Sequence, residues 1–350
     1  MQLEQYPKVS VIVPARNEQQ RIAKCLTCLA SQTYPQDRME ILVIDGMSED
    51  KTREIIRDFK PAASDSHPQI KIIDNPRRQR ATALNIGVRR AAGDVVARVD
   101  ARTVIPEDYI EKCVHTLLET GADNVGGVQR PAVEESGRHH KARQTQFAVG
   151  LAMSHFFGVG NAQFRLGGQS GYVDTVYLGC FKKHVFDKVG LFDEDAAVIG
   201  EDTDMNHRIR KAGGRVFLNK DIVAYYHPRD NLKDLWKLYF RYGGARAGNL
   251  IKAGVFTSWR QLVPLLFLVA LVVTAVGSIF SSSVFYLFTG LVFAYMAADF
   301  AVSAWLSVKH SQLGLLFILP AAFPCIHCAW AIGFFRRLCQ RPEPGQYWAY

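Results

Sequence analysis

Three apolar stretches, at about 262–280, 284–307 and 313–335, close the sequence and limit its fold more than anything before them. As helices, each is long enough to cross a hydrocarbon core of ~30 Å. Three soluble-core helices of that length are an unusual burden for one chain, so a membrane domain is expected over 253–350. Just upstream, residues 231–252 mix Trp236, Tyr239, Phe240 and Tyr242 with lysines and arginines. That mixture suits an amphipathic segment lying in the membrane interface, although an ordinary surface helix can share it. The loop "SSS" between the first two stretches carries no cation, whereas the tail carries Arg336, Arg337 and Arg341. Three full crossings from a cytosolic N-terminal domain would place that tail outside, against the positive-inside tendency. Pro320 and Pro324 offer another route, a broken third segment that re-enters, provided protein shields its backbone. Asp299, inside the second stretch, calls for a partner or a function.

Residues 1–230 read differently. Short apolar runs at 8–14, 39–46, 70–75 and 94–100 alternate with helical patterns at 18–32, 49–59, 80–92 and 106–120. This rhythm predicts an α/β domain, a mostly parallel sheet with helices on both faces. Residues 130–170, rich in glycine and polar groups, read as mobile connections near a site. No secretory h-region is expected at the start, and the seven cysteines show no framework spacing, so reduced thiols facing the cytosol are expected. "CLTC" and "CIHC" lack a partner pair at zinc-finger spacing and read as inert thiols. The net charge of +9 comes without a nucleic-acid motif, so the expected partners are a membrane and phosphates, with no nucleic acid.

Open α/β sheets bind ligands outside the carboxyl ends of their strands. Asp45 ends the second strand, Asp100 the fourth, and "VPARNE" (13–18) the first. Together they predict a pocket with two acids and a turn whose N–H groups are free. Asp45 could equally cap the helix at 49–59, and Asp202 could cap the helix that follows it. His227 follows a strand, a place where a histidine is usually structural. No G-x-G-x-x-G follows the first strand, which argues against a Rossmann dehydrogenase.

Taken in order, "VSVIVPARNEQQRIAKC", "ILVIDGMSEDKT", "ATALNIG", "DVVARVDART", "LGCFKKHVFDKVGLFDE" and "GEDTDMNHRIRKAG" resemble a family 2 glycosyltransferase with the GT-A fold, over roughly 8–230. With the C-terminal apolar helices, the likeness extends to bacterial succinoglycan-type exopolysaccharide glucosyltransferases. The resemblance implies a cytosolic GT-A domain at 1–230, on the inner (plasma) membrane, followed by the interfacial and membrane segments. It implies that Pro14, Ala15, Glu18, Asp45 and Asp100 contact the nucleotide, with Asp45 on the uracil N–H. Asp202 would be the general base, supported by Glu201, while Asp204, Arg208 and Gly213 also sit at family positions. A divalent cation, Mg²⁺ or Mn²⁺, would be held at Asp100 with help from His227. Arg102 stands where the family has the second acid of its Asp-x-Asp; it, Arg208 and His227 are candidates for the diphosphate or acceptor. That substitution puts strict cation dependence in question. The implied reaction moves a sugar, with UDP-glucose favoured, to a polyprenyl-diphosphate-linked glycan, with a polysaccharide assembly complex as a further partner. Processive members carry Gln-x-x-Arg-Trp, which "RYGGAR" (241–246) lacks, so a single addition is expected. Two alternatives stand beside it: transfer to polyprenyl phosphate itself, and a degenerate nucleotide-binding scaffold.

Overall fold

A computed structural model describes residues 6–61, 68–132, 140–194, 200–253 and 262–340. In chain order the elements begin β1 (Val9–Ala15), α1 (Ile22–Ala30), β2 (Met39–Asp45), α2 (Thr52–Asp58), β3 (Gln69–Asp74) and α3 (Arg80–Arg90). They continue β4 (Val95–Arg98), β5 (Thr103–Val104), α4 (Tyr109–Thr120), β6 (Asn124–Pro131), α5 (His140–Ala152), α6 (Phe156–Val159) and α7 (Gln163–Leu166). Then come β7 (Gly171–Tyr172), β8 (Tyr177–Lys182), α8 (Val185–Val189), α9 (Glu201–Lys211) and β9 (Val216–Tyr226). Four longer helices finish the described chain: α10 (Leu232–Ala253), α11 (Leu262–Gly277), α12 (Ser282–Lys309) and α13 (Leu319–Cys339).

The chain forms two compact units, residues 1–130 with 163–226, and residues 131–162 with 227–350. The boundary near 227 lies close to the division drawn from the sequence at 230. The sequence reading kept 131–162 with the sheet, however, whereas by compactness they group with the C-terminal helices. Of the stretch read as mobile, residues 133–139 lie outside the described residues, and α5, α6 and α7 give much of the rest helical structure.

The first unit is a nine-stranded sheet of order β3-β2-β1-β4-β8-β6-β9-β5, with β7 paired to β9. β1 pairs in parallel with both β2 and β4, and β2 with β3. β8 then runs antiparallel to β4. Alternation sorts the side chains of β1 onto two faces. Val9, Val11 and Val13 pack with Leu26 of α1 and Val114 of α4, while Ile12 packs with Leu84 of α3 and Met205 of α9. Each fully buried aliphatic side chain of this kind contributes roughly 1.5–3 kcal/mol. α3 lies so close to β1 that a Cβ on Gly87 would stand 2.5 Å from Ile12 Cγ2. The order β2-β1-β4 reverses direction at β1, and an open sheet receives its ligand at such a reversal.

In the second unit the three apolar stretches are helical. Among the described residues one helix, α12, is long and apolar enough to cross a membrane by length and composition. Its 28 residues reach about 42 Å, and Phe293, Phe300 and Trp305 lie on its exposed surface. The described residues of α11 number 16, about 24 Å of helix. The third stretch opens with a 3₁₀ turn at Leu313–Phe317 and becomes α13, one face of which is buried through Ala322, Ile326, Ala329 and Phe334. Pro324 sits within this helix. α13 meets α10 at two glycines: a Cβ on Gly243 would fall 1.9 Å from Trp330 O, and one on Gly333 2.0 Å from Phe240 O. Backbones approach this closely only where side chains are missing. Within α10, Leu235 and Tyr239 are buried and Trp236 is exposed. Asp299 is fully buried, and Ser303 Oγ donates to it at 3.2 Å. Tyr295 on α12 and His327 on α13 are hydrogen-bonded at 2.8 Å, and the other ring nitrogen of His327 meets Phe157 O. Of the cationic tail, Arg341 lies outside the described residues.

Candidate active site

The chain leaves the sheet after β4 and turns at Asp100, whose carbonyl accepts from Thr103 N–H at 2.8 Å. The residue that organises this corner is Arg98, the last of β4. It is only 3% exposed. A buried guanidinium is tolerated only when acids pair with it, and three do. Its Nε donates to Asp100 Oδ1 at 2.7 Å and its Nη2 to Asp100 Oδ2 at 3.1 Å. Its Nη1 pairs with Asp202 Oδ1 and, at 3.2 Å, with Glu201 Oε1. Arg80, the first residue of α3, also reaches Glu201 Oε1 at 3.3 Å. The two acids arrive at the start of α9. Gly200, at φ 116° in the left-handed region, launches that helix, and its N–H donates to Glu201 Oε2 at 3.0 Å.

The cluster separates its three acids. Burial pushes every one of them up. At Asp100 the Arg98 charge, aided by Arg80, outweighs burial, and the carboxyl titrates below its usual range. At Glu201, Arg80 and Arg98 do the same. At Asp202 burial prevails over Arg98, the neighbouring Glu201 and Asp100 charges add to it, and the carboxyl is pushed up to about 7. A quarter of the Asp202 side chain and a quarter of the Asp100 side chain remain accessible. Two ionised acids and one acid poised near neutrality thus share one arginine.

Around this centre the other expected residues fall into place unevenly. Pro14 and Ala15 end β1, and Ala15 sits beside Asp45 in the pairing with β2. Glu18 accepts from Arg102 Nε at 2.6 Å, so the residue in place of the second acid binds a carboxylate from the β1 loop. The turn expected to offer free N–H groups does not: those of Asn17, Glu18 and Gln19 donate to Ser48 Oγ, Thr52 Oγ1 and Asp50 Oδ2. Polar side chains after β2 supply partners that an apolar strand end alone could not reveal. Asp45 is fully buried, accepting from Ser48 N–H and Oγ and from Arg53 Nη1 at 2.8 Å. It caps no helix, since its turn closes on Ser48, ahead of α2. Arg208 is held by Asp204 one turn earlier and by the carbonyls of Val189 and Gly190, which ties α9 to the end of α8. His227 follows β9 and opens the second of the two segments of the second unit. Sequence reasoning missed Arg98 and Arg80. The signal for Arg98 was available: a charged residue inside a strand that reads as buried needs buried partners.

An open α/β sheet, with charged groups massed where its strand order reverses, has the layout of the GT-A fold. The chain belongs to glycosyltransferase family 2: the model described as "Glycosyl transferase family 2" matches residues 10–184. It is a glycosyltransferase by that membership. It is 29% identical over 331 residues, 94% of each chain, to "Succinoglycan biosynthesis protein ExoA" of Rhizobium meliloti. It is 27% identical over 94% of its length, and 97% of the relative's, to a Methanococcus voltae "dolichyl N-acetyl-alpha-D-glucosaminyl phosphate 3-beta-D-2,3-diacetamido-2,3-dideoxy-beta-D-glucuronosyltransferase". Among solved structures, a mannosyltransferase from Pyrobaculum calidifontis, in complex with GDP-Man and Mn²⁺, shares the fold. The TM-score is 0.59 at 20% identity, covering 96% of this chain and 88% of that one.

Proposed function

We propose that this protein is an inverting, membrane-anchored glycosyltransferase that moves one sugar, glucose by preference, from a nucleoside diphosphate to a polyprenyl-diphosphate-linked glycan. The catalytic unit faces the cytoplasm at the inner membrane, in exopolysaccharide synthesis and within an assembly complex. The observation that carries the chemistry is the placing of Asp202: a quarter of its side chain is accessible, and Arg98 holds it beside Asp100 and Glu201, where burial pushes its carboxyl up. A sugar hydroxyl is a weak nucleophile near neutral pH, and a base with a pKa close to the working pH serves it best. Asp202 takes the acceptor proton as the hydroxyl attacks the anomeric carbon and the diphosphate leaves, and Glu201 steadies the start of α9. The relatives named above support a glycan acceptor, and the dolichyl phosphate in the name of one supports a polyprenyl carrier.

Pro14, Ala15, Glu18 and Asp45 are assigned to the nucleotide. For Asp45 this requires Arg53 or Ser48 to yield, because its carboxylate has no exposed surface. Arg102, with more than half its side chain exposed, keeps N–H donors for a phosphate oxygen while Nε holds Glu18. Among the described residues no group of three or more His, Cys, Asp or Glu is gathered for a metal. Asp100 alone fits the kind of site in which one carboxylate and substrate phosphates share a Mg²⁺ or Mn²⁺ ion. The solved relative with GDP-Man and Mn²⁺ favours that arrangement, and the ion's part is to supply positive charge to the leaving diphosphate. Arg208, bound to Asp204 and to the end of α8, is given no role, and His227 stays a candidate for the cation or the diphosphate.

The test uses membranes containing the protein and labelled UDP-glucose, with GDP-mannose and UDP-N-acetylglucosamine as alternative donors. Label should enter organic-extractable lipid with wild type and not with Asp202→Asn. A product stable to mild acid at the new bond would be a glycoside, whereas an acid-labile phosphodiester would mark transfer to polyprenyl phosphate. Equal transfer by the Asp202→Asn variant would remove Asp202 as the base.

A further inference from the structure

We propose that Arg98 is a positioning residue of this transfer, gripping Asp100 and Asp202 in one ionic cluster and keeping a divalent cation off Asp100 until a diphosphate accompanies it. The inference rests on reading the site as a glycosyltransferase centre. Its basis is geometric. The guanidinium lies within the sheet at 3% exposure, and all three of its nitrogens are used. Two of them meet both oxygens of Asp100, while the third meets Asp202 and Glu201, which arrive from a segment about a hundred residues later. Arg80 gives Glu201 a second cation, but Arg98 is the cation that grips Asp202 directly. The arginine therefore fixes the distance from the strand-end acid to the candidate base. A guanidinium does this better than an ammonium, because its planar fork defines angle as well as separation.

The same arrangement governs cation binding. Both Asp100 oxygens already accept from a permanent positive charge. An incoming divalent ion would have to share them with a guanidinium a few ångströms away. Repulsion at that range is strong where water is scarce. A diphosphate brings the negative charge that offsets it. Cation and nucleotide are then coupled, each raising the affinity of the other.

The experiment uses the full-length protein in nanodiscs. Mn²⁺ is titrated alone and then with UDP or GDP, and free Mn²⁺ is followed by electron paramagnetic resonance. Wild type is compared with Arg98→Met, Arg98→Lys, Asp100→Asn and the double variant R98M/D100N. Arg98→Met should bind Mn²⁺ alone at least about tenfold more tightly than wild type, and the double variant should lose that gain. Equal Mn²⁺ affinity in Arg98→Met and wild type would overturn the electrostatic part. Arg98→Lys keeps the charge and loses the fork. Its kcat should fall at least about tenfold with donor KM nearly unchanged, while its Mn²⁺ affinity stays near that of wild type. An unaltered kcat would overturn the positioning role, and this variant decides that point even if Arg98→Met does not fold. Absence of nucleotide binding in wild type, with the Arg98-dependent difference in Mn²⁺ intact, would support the charge assignment and remove the donor reading.

Discussion

At the scale of single residues, the site is a contest over where three negative charges settle. Burial raises all three acids, and Arg98 and Arg80 reach them unequally, so only Asp202 is pushed up to about 7. Its working form as a base is the carboxylate. The ratio kcat/KM should therefore fall about tenfold for each pH unit below about 7, and Asp202→Asn should cost about 100- to 10,000-fold in kcat/KM above pH 7, a deficit that shrinks at lower pH as wild type loses its own carboxylate. A pH series of kcat/KM on wild type and on Asp202→Asn measures this. The same shift bears on stability. The folded protein holds this proton more tightly than the unfolded chain, where an aspartate titrates near ~3.9. Its contribution is thus fully present below that value and is lost as pH rises towards about 7. Thermal unfolding followed between pH 5 and 7 should show a shallower dependence in Asp202→Asn than in wild type. Asp100 and the Glu201–Asp202 pair were legible because strand ends and a family likeness point to acids. Arg98 was not legible as the centre of the cluster because two of its three partners, Glu201 and Asp202, lie about a hundred residues later in the chain.

At the scale of elements, the strand and helix pattern of the first unit was legible because hydrophobic period differs between the two. β1 and β2 read as apolar runs since both their faces are covered, and α1 read as a helix from Ile22, Leu26 and Leu29, all of them buried. What the pattern does not carry is backbone sign. Gly200 starts α9 at φ 116°, which an L side chain rarely adopts, and the acids that follow inherit their direction from it. Gly200→Ala should cost about 1–3 kcal/mol and lower kcat more than it raises KM, measured by denaturation and by steady-state transfer. Leu26→Ala tests ordinary packing on the sheet and should cost about 2–5 kcal/mol of stability while leaving KM for the donor unchanged. If both variants lost stability equally and kept kcat, Gly200 would have no special hold on the acids.

At the scale of the whole molecule, composition announced a greasy C-terminal third but could not say which helices face lipid. α12 presents large apolar side chains outward, whereas α13 turns one face to α10, and only contacts in three dimensions distinguish the two. For the same reason residues 131–162 were assigned to the sheet, although they group with the later helices. Gly333→Leu should be among the most damaging single changes in the second unit, because the new side chain would occupy the space of the Phe240 backbone. Loss of folded protein on detergent extraction, compared with Gly290→Leu in the open, would show it: a Cβ at Gly290 meets nothing within 4 Å. Gly243 and Gly333 have a further consequence. Where two backbones touch with no side chain between them, there is no rotamer to flip and no soft layer to compress. Neither helix has room there to slide against the other without breaking that backbone contact.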